Sequence, residues 1–253
     1  MTSDKEIERV RYDQRARKLL SIYDKTSVYH STAISPVLAA PYTCYQKELK
    51  KHIVEDCKVL EIGAGCGENT HALLHAGARV TALDISGLSL KSLRSRYGLF
   101  DRLNSVVGDI ESLPFPSNSY DVVVSAGSLS YGDNKMVRDE IFRVLKEGGV
   151  FICVDSLNHN PMYVFNRWLH AKRQRRTIST TQRMPTLKLL ESYRDAFGQS
   201  SEFFFGSISW LALPVSKIIG VKLAANFSDR VDRIIRTKKS AFKFVMVVRK
   251  VNS

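Results

Sequence analysis

Cysteine is scarce in this chain and is arranged for no chemistry. Cys44, Cys57, Cys66 and Cys153 are scattered through 253 residues with neither a C-x-x-C pair nor a nearby histidine cluster. That argues against a disulfide framework and against a structural zinc site, and no metal is expected. Cys153 lies inside the apolar run "VFICV" and reads as a core residue. The N-terminus, "MTSDKEIERVRYDQRARKLL", mixes both charge signs and lacks an apolar h-region, so neither a secretory signal nor an anchor is expected there and the default location is cytoplasmic. The longest apolar stretch, "FFFGSISWLALPVSKIIGVKLAANF", is broken by Pro214, Lys217 and Lys222, which rules it out as a bilayer span. Acidic residues are few in the last part of the chain. Residues 157–253 hold 5 of the 25 Asp+Glu but 18 of the 38 Lys+Arg, so the whole net charge of +13 lies there.

What is present suits one α/β domain with additions. A hydrophobic content of 44% supplies a sizeable core. The first fifty-odd residues read as helices, and residues 1–55 are expected to form an N-terminal helical cap. From Val59, β-rich runs alternate with helical ones: "KVLEIG", "HALLHAGA", "RVTALDI", "LKSLRSRYG", "LNSVVGDI", "YDVVVSAGSL", "KMVRDEIFRVLKEGG" and "VFICVDSL". This βαβα order implies a parallel sheet with helices on both faces, and residues 56–160 are taken as the ligand-binding core. Residues 161–253 form a basic C-terminal part, with a helix at "PTLKLLESYRDAFG" and a final strand at "AFKFVMVVRKV".

The stretch "VLEIGAGCGENT" is an apolar strand followed by alternating glycines. Glycines let a ligand approach the backbone, and free N–H groups face it at the start of the next helix. Downstream, "VTALDI" ends an apolar strand in Asp84, 21 positions after Gly63, where a carboxylate accepts hydrogen bonds from ribose hydroxyls. A dinucleotide fingerprint wants Gly where this chain has Glu68. Glu61, two residues before the first glycine, repels a pyrophosphate but receives an ammonium. S-adenosylmethionine meets both demands.

The chain resembles the class I S-adenosylmethionine-dependent methyltransferases, in the branch with ubiquinone-biosynthesis enzymes and many small-molecule and glycan enzymes. The resemblance covers roughly residues 59–156. It rests on "VLEIGAGCG", "VTALDIS", "GDIESLPFPSNSYDVVVSAGSL" and "EIFRVLKEGGVFICVD" in that order. It implies a Rossmann-like fold with a seven-stranded, mostly parallel sheet ending in an antiparallel strand. By position it puts Gly63, Ala64 and Gly65 under the methionine part of the cofactor, Asp84 on the ribose and Ile85 against adenine. Asp109 accepts from the adenine amino group, Ile110 donates a backbone N–H, and the backbone at Ser125 and Ala126 meets the methionine amino group. Asp121 reads as structural. Many relatives carry paired histidines after the fourth strand; this chain has "SLSYGD" there, and Glu147 stands where Pro is usual.

Methyl transfer asks for in-line placement of the acceptor and, for a hydroxyl, removal of its proton. His159, just past the strand ending near Asp155, is the first candidate base, with Tyr131, Asp133 and Asp155 behind it. From the N-terminal cap, Tyr12, Arg15, Tyr23 and Tyr29 are candidates to close over cofactor or acceptor. Arg173 and Arg176, in "HAKRQRR", suit bidentate contacts to phosphate or carboxylate, so an anionic small molecule or glycan is the expected acceptor. Nucleic acid is the rival partner. The lack of an Asp/Asn-Pro-Pro-aromatic motif in "SAGSL" removes the base-amino class, leaving RNA ribose or ring-carbon methylation as the alternative, and aromatics for single-strand stacking are sparse among the basic runs. A peripheral membrane contact through the Trp210 stretch is the third alternative. A non-catalytic cofactor-binding relative is the fourth, and oligomeric state is left open.

Overall fold

In the computed structural model the described residues are 4–26, 36–164, 182–207 and 238–251, with single positions at 180, 216, 220, 221, 223, 224, 226, 227 and 230; of residues 22–26 and 37 only the backbone is described. Seven strands form one sheet: β1 (Lys58–Ile62), β2 (Arg79–Asp84), β3 (Leu103–Val107), β4 (Tyr120–Ala126), β5 (Leu145–Ser156), β6 (Gly198–Phe205) and β7 (Lys243–Lys250). Their order is β3-β2-β1-β4-β5-β7-β6. All neighbours among β1 to β5 are parallel, whereas β7 is antiparallel to both β5 and β6. The mostly parallel sheet closed by an antiparallel strand is therefore as the resemblance implies.

Six helices are named among the described residues: α1 (Asp4–Thr26), α2 (Ala40–His52), α3 (Thr70–His75), α4 (Gly87–Tyr97), α5 (Asn134–Val144) and α6 (Leu187–Phe197). The two-residue period of a strand sends alternate side chains to opposite faces. On β5, Phe151 and Cys153 join the cluster under α5 and α6, while Val150, Ile152 and Val154 join the one under α2, α3 and α4. Both faces are covered, which is why these strands read as continuous apolar runs rather than as alternating ones. The four cysteines are free thiols, and Cys153 is fully buried in the core.

The same alternation puts Leu60 and Ile62 of β1 on the α5/α6 side and Val59 on the other. Glu61 therefore points into the α2/α3/α4 side, where it is buried. β1 pairs with β2 on one edge and β4 on the other, so successive connections leave the middle of the sheet in opposite directions. A crevice opens at such a reversal, beyond the carboxyl ends of the strands.

One boundary differs from the sequence expectation. "KMVRDEIFRVLKEGG" reads as a single helical run, but α5 stops at Val144 and Leu145 already pairs with Tyr120 as part of β5. Tertiary contacts terminate the helix. Lys250 of β7, itself buried, donates from Nζ to Phe142 O (3.1 Å) and Leu145 O (2.9 Å) and to Asn118 Oδ1 (3.0 Å). A cation thus meets carbonyls at the negative end of the helix dipole. Asp121 is structural, as expected: its carboxylate accepts from Lys58 N–H and Lys146 Nζ.

Lys250→Met keeps the packing volume but strands those carbonyls. It is expected to lower unfolding free energy by about 1–3 kcal/mol in urea titration; an unchanged midpoint would deny the lysine its capping role.

Candidate functional site

A cavity of about 460 Å³ opens beyond the carboxyl ends of β1, β2 and β4. It is lined by Gly63, Ala64 and Gly65 after β1, Asp84 and Ile85 at the end of β2, Gly108, Asp109 and Ile110 after β3, and Ala126, Gly127, Ser128 and Tyr131 at the end of β4. Helix α1 closes it with Lys5, Glu8, Tyr12 and Arg15, and α2 adds Tyr42 and Gln46. Glu68 and Asn69 complete the wall.

The glycine turn is built for close approach. Gly63 has φ +66°, and a Cβ there would lie 2.4 Å from Ser128 Cβ, so no side chain fits. Ser128 is fixed in turn: its Oγ is 2.6 Å from Ser125 Oγ and donates to Ile62 O at 3.2 Å. Ser125 is buried beneath the cavity rather than on its wall.

Asp84 joins two turns. Its Oδ2 accepts from Gly65 N–H and its Oδ1 from Ser86 N–H, both at 2.8 Å. Burial raises its pKa, the two backbone donors opposing the rise. Ser86 then caps α4 by accepting from Ser89 N–H, and its hydroxyl donates to Asp13 of α1 at 2.6 Å.

Glu61 lies behind the glycine turn, where its Oε2 accepts from Thr70 Oγ at 2.6 Å. Burial, assisted by the charges of Glu68 and Asp84 and opposed by the Thr70 bond, pushes its pKa up to about 8. Four carboxylates line the cavity (Glu8, Glu68, Asp84, Asp109) against two cations, Lys5 and Arg15. The acidic wall favours a ligand that carries positive charge.

The cap meets the rim at several points. Tyr12 donates to Tyr131 Oη at 2.6 Å, with the rings edge to face at 5.6 Å, and Arg11 donates to the same oxygen at 3.1 Å. Burial raises the Tyr12 pKa, with Tyr131 adding to the rise. Arg15 pairs with Glu68 at 3.0 Å.

Three of the four base candidates are employed elsewhere. His159 does not line the cavity; its Nε2 accepts Leu187 N–H at 2.9 Å and so caps the first turn of α6. A nitrogen that holds a helix end cannot also collect a substrate proton without releasing that end. Asp133 is the N-cap of α5, its Oδ1 accepting from Lys135 N–H and Met136 N–H at 3.0 Å each. Asp155 is buried and accepts from Leu129 N–H, which supports the turn carrying Tyr131. Tyr131 alone of the four lines the cavity. Tyr23 belongs to α1, but its side chain lies outside the described residues, as do Tyr29, Arg173 and Arg176 altogether.

Lys5, Glu8, Tyr42 and Gln46 were not singled out by the sequence reading. A signal existed for the first two: Lys5, Glu8, Tyr12 and Arg15 are spaced 3, 4 and 3 apart and share one helical face. Among the described residues no helix is long and apolar enough to cross a membrane, and no group of three or more His, Cys, Asp or Glu could hold a metal ion.

Residues 60–153 match the family model described as a methyltransferase domain. The chain is 36% identical over 105 residues to the sarcosine/dimethylglycine N-methyltransferase of Aphanothece halophytica, covering 40% of this chain and 38% of that protein. It is 38% identical over 107 residues to the demethylmenaquinone methyltransferase of Clavibacter sepedonicus, covering 42% and 44%. The matched segments thus span less than half of these curated relatives. Among solved structures, phosphoethanolamine N-methyltransferase 2 of Haemonchus contortus aligns over 100% of this chain and 61% of its own, with TM-score 0.67 and 16% identity. A geranyl diphosphate methyltransferase aligns over 98% and 100%, with TM-score 0.65 and 18% identity. These structures share the fold.

The raised Glu61 pKa has a measurable consequence. The folded state binds this proton more tightly than the unfolded chain, whose carboxyl titrates near the ordinary 4.5. The stability it contributes is complete below that value and is lost as pH rises through about 8. Between about pH 5.5 and 8.5 the urea midpoint of the natural protein is expected to fall further than that of Glu61→Gln; parallel falls would show that Glu61 is ionised throughout.

Proposed function

We propose that this chain, whose residues 60–153 match the methyltransferase-domain family model, is a class I S-adenosylmethionine-dependent methyltransferase acting on a hydroxyl or amine of an anionic small molecule. The acceptor class we favour is a sugar, nucleotide-sugar or glycan intermediate. The observation that carries the cofactor reading is the convergence on one cavity of Gly63, Gly65, Asp84, Ile85, Asp109 and Ile110, which come from the ends of three strands.

The residues fit the cofactor group by group. The glycine turn, where a Cβ at Gly63 would strike Ser128, leaves bare backbone for the methionine part. Asp84 stands at the end of β2 to accept from ribose hydroxyls, and Ile85 packs on adenine. Asp109 and Ile110 take the adenine edge, and the backbone at Ala126, with Glu61 behind, takes the methionine ammonium, while Ser125 beneath the cavity supports Ser128 instead. The acidic lining suits a ligand that carries a sulfonium. When bound, the cofactor supplies an activated methyl group. This chain's own residues then hold the acceptor in line and, for a hydroxyl, accept its proton. We assign that proton to Tyr131, the candidate base that faces the cavity, which would take it as the phenolate, with Tyr12 and Arg11 donating to its oxygen.

The acceptor half of the proposal is supported by the charge asymmetry, 18 Lys+Arg against 5 Asp+Glu in residues 157–253. A one-sided field concentrates anions where it lines a site. Similarity to an N-methyltransferase favours an amine as the reacting group.

Calorimetry is expected to detect S-adenosylmethionine and S-adenosylhomocysteine binding, weakened about tenfold or more by Asp84→Ala; absence of binding by the natural protein overturns the cofactor reading. Incubation with labelled cofactor and a metabolite extract identifies the acceptor by what gains the methyl group. With that acceptor, Arg173→Glu and Arg176→Glu are expected to raise KM with little change in kcat. An unmoved KM, or labelling confined to added RNA, counts against an anionic small molecule.

A further inference from the structure

The face of α1 that closes the cavity puts a cation on a residue assigned to the cofactor. Lys5 Nζ donates to Asp109 Oδ2 at 2.5 Å and also pairs with Glu111 Oε2. Asp109 Oδ1 already accepts Glu111 N–H at 2.9 Å. Both oxygens of the carboxylate that would receive the adenine amino group therefore carry donors. The donor on Oδ2 is a charged ammonium, which binds a carboxylate more strongly than a neutral amino group does.

Glu111 offers the lysine a second seat. Its Oε1 accepts Asp133 N–H at the start of α5, so the side chain is held in place independently of Lys5. The lysine stem has four rotatable carbons, and both ends of the pair are about one-third exposed, Lys5 at 32% and Asp109 at 33%. A partly solvated pair of this kind exchanges at modest cost. Other contacts keep α1 seated: Asp13 accepts from Ser86 Oγ, and Tyr12 donates to Tyr131, each at 2.6 Å. Removing Lys5 thus leaves the helix anchored and alters the competition at Asp109.

We propose that Lys5 is an internal competitor for the adenine-binding carboxylate Asp109, moving wholly onto Glu111 when the cofactor arrives. The inference rests on the cofactor reading above. It makes the N-terminal helix a restraint on cofactor affinity, with one end of the restraint in the adenine site itself. If Lys5 instead held Asp109 in place for the cofactor, its removal would weaken binding. The two roles differ in sign.

The test is calorimetric and stopped-flow binding of S-adenosylmethionine and S-adenosylhomocysteine to the full chain and to Lys5→Met, Glu111→Gln and the double variant, with circular dichroism melts to verify folding. Lys5→Met is expected to bind both about two- to fivefold tighter, with faster association. Glu111→Gln, which leaves the lysine only Asp109, is expected to bind more weakly by a similar factor. The double variant should match Lys5→Met, since a second seat has no purpose without its occupant. Unchanged or weaker binding by folded Lys5→Met, alongside binding by the natural chain, overturns the competition alone. If neither protein binds either nucleoside, the cofactor reading falls and the competition falls with it.

Discussion

The carboxylate of Asp84 holds together the two turns on which the site is built. It bonds the backbone of Gly65 after β1 and of Ser86 after β2, so the glycine turn and the start of α4 share one anchor. Burial works against its charge, and the two N–H donors compensate. Ser86 passes the connection to α1 through Asp13. A ribose arriving at Asp84 would therefore meet an acceptor whose position is already fixed by backbone, the preorganisation that a binding site needs.

A second constraint comes from the sheet. With helices on both faces, a polar side chain buried in a strand must find its partners inside. Glu61 is one of these, a carboxyl inside one face, beside Thr70 at the start of α3. Burial favours its neutral form and raises its pKa. An ammonium in the cavity would change that balance, because an opposite charge favours the ionised form. The acidic wall and the cations of α1 belong to the same balance: Lys5 and Arg15 neutralise Asp109 and Glu68 from the cap side.

The polar contacts between the cap and the rim are concentrated where α1 meets the turn after β4. Tyr131 receives hydrogen bonds from Arg11 and Tyr12, and Asp155 supports its turn through Leu129 N–H. The neighbouring polar residues His159 and Asp133 end helices instead. Their side chains satisfy backbone N–H groups that would otherwise be orphaned, and such groups at helix starts must be satisfied somewhere.

The sequence by itself determined the parallel core, the glycine turn and the order of the acidic residues around it. Strand periods, glycine stereochemistry and short-range spacing are local properties, and local properties survive in a linear string. Gly63 and Asp84 were readable for that reason, and Asp109 through the family resemblance. What only the tertiary structure decided is which polar side chains face the cavity and which cap helices. Along the chain His159 reads as the better-placed base and Tyr131 as the lesser, yet His159 meets a helix start 28 residues later and Tyr131 meets α1, 119 residues earlier. The early end of α5 is of the same kind, set by Lys250 from the last strand. These outcomes depend on contacts between residues distant in sequence, and no local pattern encodes them.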